Sequence, residues 1–106
     1  MLNAGPAKKV TIYASQDQKH HRDSVYAAIL EFLFSRKVSG AMVTRGIAGF
    51  GADHHMQTDR ILALTENLPM KVEFIETAEK VAELLPKLQE MAGNGLIAMS
   101  EVEVIK

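Results

Sequence analysis

Cysteine is absent from this 106-residue chain. That excludes disulfides, thiolate nucleophiles and cysteine-based zinc sites, and it matches a reducing, cytoplasmic location. No apolar run approaches the ~18 residues that a membrane-spanning helix needs. Residues 1–8 lack the apolar segment of a secretory signal. An excess of either charge is also missing. Twelve basic residues face thirteen acidic ones, a formal net charge of −1, so there is no bulk attraction to nucleic acid or anionic membrane. Nucleic acid is therefore not an expected partner.

Catalytic signatures are missing too. Neither Ser24 nor Ser35 sits in a Gly-x-Ser-x-Gly elbow. There is no Gly-Lys-Ser/Thr phosphate loop, and the glycines at 46, 49 and 51 lack the strand-to-helix setting of a dinucleotide fingerprint. The carboxylates are scattered along element surfaces. These absences predict a protein that is not an enzyme.

What is present is an ordinary globular composition, 47% hydrophobic and 24% charged, enough for one domain over residues 1–106 with a single modest core. Asn3, Gly5 and Pro6 make residues 1–7 an expected flexible arm. Residues 8–14 alternate, with Val10, Ile12 and Ala14 on one face and Lys9, Thr11 and Tyr13 on the other, the period of a strand. Residues 15–23 are polar and read as a loop. Ser24 is the expected N-cap of a helix in which Tyr26, Ile29, Leu30 and Leu33 share a face. Arg36 and Lys37 suit its negative end. Val25, Phe32 and Phe34 broaden the apolar surface, which implies deep burial or a partner subunit.

A second strand is expected over residues 41–47, then a glycine-rich loop. Residues 59–65 allow a strand or one helical turn and are read as extended. Residues 70–76 form a clear strand, with Val72, Phe74 and Glu76 on one face. Thr77 can cap a second helix carrying Val81, Leu84, Leu85, Leu88 and Met91 at helical spacing. Pro86 interrupts it, at a cost of ~3 kcal/mol in a helix interior. One kinked helix or two short ones would satisfy the pattern, and the unbroken apolar period favours one. A last strand spans residues 96–105, with an expected irregularity near Ser100 and Glu101. The order βαββαβ predicts an α+β, ferredoxin-like sandwich: a four-stranded antiparallel sheet with both helices on one face. Apolar residues on both sheet faces predict association.

The densest functional signal is the run from Arg45 to His55. Three glycines, Gly46, Gly49 and Gly51, lie within six residues beside Arg45. Exposed backbone amides next to an arginine can hold a phosphate or another small anion. The alternative is a bulged hairpin with Arg45 on a solvent face. Arg60, Lys19 and Lys106 are further cations that could meet the anion. Gly93-Asn94-Gly95 could be a second anion-contacting turn, although a helix C-cap explains it more simply.

Histidines occur as two pairs, His20-His21 and His54-His55. Imidazoles bind Zn, Cu or Ni. Adjacent side chains on an extended backbone point apart, so two loops or two subunits would have to converge. Surface histidines with no ligand role are the simpler reading.

Several blocks together resemble the small PII-like proteins grouped as domain of unknown function 190. They are residues 9–13 and His20, the Gly40–Gly51 block with its Arg-Gly-Ile-Ala-Gly-Phe-Gly core, residues 67–75 with their Leu-Pro strand start, and the tail from Gly95 to Ile105. The resemblance implies a homotrimer of ferredoxin-like subunits. It also implies that adenine nucleotides or related effectors bind between subunits. The loop after the second strand would change shape and dock on a target, such as a membrane transporter or an enzyme. By position, Arg45 to Gly51 would form the base of that loop and residues 52–59 its mobile part. Gly93 to Gly95 would meet phosphates from the neighbouring subunit. The implied effector-binding set is Arg45, Gly46, Gly49, Phe50, Gly51, Arg60, Gly93, Gly95 and Lys106, with no metal and no other cofactor. The alternative is a divalent-metal or metal-tolerance module using His20, His21, His54 and His55. The chain departs from the pattern at Ser15-Gln16, where family members often carry Gly-Glu, and at Ser24, where they often carry Pro. The loop is shorter than a PII loop, and no tyrosine lies between Gly51 and Leu64 to serve as a modification site.

Overall fold

The computed structural model describes residues 2–50, 57–58 and 68–106. The elements run β1 (Gly5–Ser15), β2 (Lys19–His20), β3 (Asp23–Ser24), α1 (Val25–Ser35), β4 (Ala41–Arg45), β5 (Ala48–Gly49), β6 (Gln57–Thr58), β7 (Pro69–Glu76), α2 (Ala78–Ala92) and β8 (Leu96–Val104). The main sheet has the order β4-β7-β1-β8, and every pairing is antiparallel. This is the expected ferredoxin-like α+β arrangement.

Val10 and Ile12 of β1 and Val72 and Phe74 of β7 point to the helix side. There they meet Val25, Ile29 and Leu33 of α1 and Val81, Leu84, Leu88 and Met91 of α2 in one buried cluster. The period-two and period-3.6 patterns converge on this core because each element buries one face. In α1 the buried stripe runs through Val25, Ile29 and Leu33; Leu30, expected on it, is exposed, and Phe34 is 86% exposed.

Helix ends differ in how they are closed. Thr77 caps α2 as expected, its Oγ1 accepting from Lys80 N at 3.3 Å. Ser24 holds the N-cap position of α1 but makes no side-chain cap bond; the Val25 amide donates instead to Gln18 O at 2.8 Å. At the other end of α1, Lys37 has a positive φ of 60°. Val38 N donates to Leu33 O and Lys37 N to Phe34 O, the paired bonds of a Schellman closure.

Three boundaries differ from expectation. The arm expected over residues 1–7 is strand from Gly5 onward, because Gly5, Pro6 and Ala7 pair with Val104, Glu103 and Val102. Gln16 to Asp23 is no simple loop: Lys19 pairs with Ser24 and His20 with Asp23 in a two-residue ribbon. The β1–β8 register runs through Lys9↔Ser100 and Lys8↔Glu101 without a bulge, so the expected irregularity in β8 is absent. Pro86 lies within the single helix α2 on its exposed side, while Leu84 and Leu88 around it are buried.

Glu76 is the one charged residue buried among the described residues, 4% exposed. Its Oε1 accepts from Ser39 N at 2.9 Å and Ser39 Oγ at 3.1 Å, and its Oε2 from Thr77 N at 3.2 Å. The carboxylate thus ties the α1–β4 connection to the start of α2. On the opposite sheet face no helix lies among the described residues. Tyr13, Met42 and Leu96 stand exposed there, beside the Lys9–Glu73 ion pair at 3.3 Å.

Candidate functional site

Arg45, Pro69, Ser15 and Gly95 gather at one end of the sheet. The pairings Arg45↔Met70, Ser15↔Pro69 and Tyr13↔Leu96 put the end of β4, the start of β7, the end of β1 and the start of β8 side by side. The glycine-arginine run and the Gly93–Gly95 turn, distant in sequence, therefore share one end of the fold. Arg45 itself is exposed.

The glycines have steric reasons to be glycines. A Cβ on Gly46 would stand 2.9 Å from Pro69 Cγ, and one on Gly49 3.3 Å from the same atom. Gly46 N also donates to Pro69 O at 2.7 Å. The Gly46 amide, expected to face an anion, is thus spent on the sheet. Ala48 and Gly49 pair with Thr58 and Gln57, so residues 57–58 of the expected mobile part belong to a small ribbon. Ile47 and Phe50 are exposed beside it. Gly51, Arg60, His54, His55 and the extended stretch expected over 59–65 lie outside the described residues.

Gly93 has φ 56° and ψ −115°, the angles of the first central residue of a type II′ turn. Gly95 N closes that turn on Ala92 O at 2.8 Å. A Cβ on Gly95 would collide with Tyr13 O. Gly93 holds the C-cap position of α2, as the simpler expectation has it, while Gly95 is kept small by the close approach of Tyr13 O. The turn also borders an open cleft of about 300 Å³ lined by Gln89, Ala92, Gly93, Gly95 and Ile97.

Gln18, which no sequence motif singled out, organises this end. Its Nε2 donates to Ala92 O at 2.8 Å, the carbonyl that also closes the turn. Its main-chain N donates to Ser15 O at 3.1 Å. Neighbouring Gln16 grips the start of β7: its N donates to Leu68 O at 2.7 Å, and Leu68 N donates to its Oε1 at 3.4 Å.

Lys106 does not join Arg45 within the subunit. It follows β8 at the far end of the sheet, where Gly5 pairs with Val104. The paired strand from Tyr13 back to Gly5 spans about 26 Å at ~3.3 Å per residue. There Lys106 lines a larger open cleft, about 650 Å³, with Leu2, Phe34, Lys37, Val38, Ser39 and Val104.

His20 and His21 sit at the β2–β3 turn with ring centroids 4.4 Å apart. They lie close enough to α2 for their charge to help lower the Glu90 carboxyl, behind the hydrogen bond and charge of Lys87. Among the described residues no group of three or more His, Asp or Glu could hold a metal ion. No helix among them is long and apolar enough to cross a membrane.

Comparisons with known proteins agree with this architecture. The family model DUF190, "Uncharacterized ACR, COG1993", matches residues 7–104. A UPF0166 protein of Aquifex aeolicus is 34% identical over 98 residues, covering 92% of each chain. A UPF0166 protein of Methanocaldococcus jannaschii is 35% identical over 101 residues, covering 94% of this chain and 93% of its own. Among solved structures, CPII of Thiomonas intermedia, a nitrogen regulatory PII-like protein bound to ADP, AMP and bicarbonate, aligns with a TM-score of 0.73 at 18% identity. That alignment covers all of this chain and 94% of CPII. A candidate PII-like signaling protein of Thermus thermophilus aligns with a TM-score of 0.69 at 20% identity, over 98% and 94% of the two chains. The chain belongs to the DUF190 family and has a PII-like fold.

Proposed function

We propose that this protein is a PII-like regulator that binds an adenine nucleotide at a composite site between subunits. The observation that carries the reading is the fold shared with CPII, a protein solved with ADP and AMP; Arg45 and Lys106 lie at opposite ends of one sheet. A single small ligand touching both requires two subunits arranged head to tail, and three such contacts close a ring. The Arg45 and Gly93–Gly95 end then supplies a polar half-site. The Lys106 end supplies the larger cleft, with the Phe34 ring and Val38 as apolar wall and two ammonium groups beside it. The clefts, about 300 and 650 Å³, fall in the ~300–1,000 Å³ range of small-molecule sites. The exposed Tyr13, Met42 and Leu96 on the open sheet face support burial against other copies.

In this reading the Arg45 guanidinium is the main phosphate contact. Gly49, Phe50, Gly51 and Arg60 complete the loop side, and Gly93 and Gly95 the turn. Gly46 contributes the bend around Pro69. Nucleotide binding shifts the population of loop conformations after β4 and so alters a surface for a target protein. Calorimetry of metal-free protein with ATP, ADP, AMP and cyclic nucleotides tests the reading, with light scattering to report assembly. Saturable binding of one of them by a trimer is the expected result. A trimer that binds none removes the nucleotide assignment, and a monomer at micromolar concentration removes the composite site.

A further inference from the structure

The cleft at the Lys106 end is already in use. Leu2 lines it together with Phe34, Lys37, Val38, Ser39, Val104 and Lys106. The Leu2 amide donates to Ser39 Oγ at 2.9 Å, and Lys106 Nζ donates to Leu2 O at 2.8 Å. One residue of the segment before β1 therefore engages a hydroxyl and an ammonium group of the same cleft. Ser39 is itself held in place, because its N–H and Oγ both donate to the buried Glu76 carboxylate. The hydroxyl proton is committed to Glu76, which leaves the oxygen to accept from Leu2.

We infer that residues 2–4 act as an intrasteric strap that competes with the effector for Lys106 and for the space beside Phe34. The inference rests on the effector reading above. A main-chain carbonyl is a neutral acceptor for an ammonium, whereas a phosphate oxygen is a charged one and adds the attraction of an ion pair to the hydrogen bond. Both strap bonds are exposed to solvent, so each is weak enough to be exchanged for a nucleotide. The strap sets a threshold: it holds the Lys106 ammonium from weakly bound anions and yields it to a ligand that gains more from Lys106 than Leu2 does.

The test uses the assembled protein and three chains: the parent, one lacking residues 2–4, and one carrying Leu2→Pro. The proline removes the amide that donates to Ser39 and leaves the other residues lining the cleft unchanged. ADP and AMP binding are measured by calorimetry, with assembly checked by light scattering. Both altered chains should bind about threefold to tenfold more tightly than the parent, the scale expected for releasing one or two exposed hydrogen bonds. Equal or weaker binding by both, with parent binding intact, overturns the strap and leaves the effector site standing. Absence of binding in all three removes the effector reading and the strap with it.

Discussion

The side-chain amide of Gln18 donates to the main-chain carbonyl of Ala92 at 2.8 Å, joining residues 74 positions apart. That carbonyl also receives Gly95 N. One acceptor thus fixes the loop after β1 against the turn that ends α2. The same loop holds Leu68 through Gln16, so the polar connection at residues 15–18 frames the candidate phosphate end from two sides. Gln18→Ala should lower stability by about 1 kcal/mol, the net worth of a typical hydrogen bond. Urea unfolding reads this as a lower midpoint with an unchanged slope.

Gly95→Ala tests the turn itself. The added methyl would collide with Tyr13 O and stand 3.1 Å from Ala92 O. Both obstacles are backbone, which gives way less readily than a side chain. The expected loss is about 1–3 kcal/mol, as for other forced insertions into packed sites, measured by thermal melting. Gly40→Ala, where nothing lies within 4 Å of the new atom, serves as the control.

Glu76→Ala should be the more damaging change at the opposite end. It leaves the amides of Ser39 and Thr77 without the acceptor they use in the wild type. Bonds to a charged group contribute ~1.5–3 kcal/mol each, and an orphaned buried donor costs ~1–3 kcal/mol. A combined loss of about 2–4 kcal/mol is expected in urea unfolding, with Glu76→Gln falling between alanine and the wild type.

Glu90 gives a pH-dependent test. The hydrogen bond from Lys87, 3.0 Å long, and then the charge of that ammonium hold its carboxyl below the ordinary value of 4.5. A small desolvation cost opposes this, and His20 and His21 add smaller attractions. A lowered folded-state value means the contribution is complete above pH 4.5 and fades as pH falls through the lowered value. Lys87→Met should flatten this part of the stability curve. Urea midpoints at about pH 3 and about pH 6 would show the wild type losing more than the variant. High salt should shrink the difference, because the pair is exposed.

Much of the fold was legible because its signals are local. Val10 and Ile12, Val72 and Phe74, and the Val81–Leu84–Leu88 spacing each declare a face without reference to the rest of the chain. Pro86 did not break α2, since the proline faces solvent while Leu84 and Leu88 anchor the turns around it. What was not legible depended on register and topology. The glycines beside Arg45 suggested amides turned toward a ligand, yet two of them make room for Pro69, which only the β4–β7 pairing brings there. Lys106 was legible as a second cation for the anion, but only strand order shows that it stands at the other end of the sheet from Arg45 of the same subunit. The role of Gln18 left no local trace, because its acceptor lies on another element.

The central claim is that Arg45 of one subunit and Lys106 of another serve the same nucleotide. The most direct measurement is complementation between two defective chains. Arg45→Ala and Lys106→Ala proteins, each alone, should bind ADP at least about tenfold more weakly than the wild type, equivalent to ~1.4 kcal/mol. If the assembly is the proposed ring of three, subunits of the two, unfolded together and reassembled, give mixed trimers in which some interfaces join an intact Arg45 to an intact Lys106. The account predicts that these trimers recover high-affinity binding at that fraction of their sites. Mixed trimers that form and bind no better than either variant alone would contradict it.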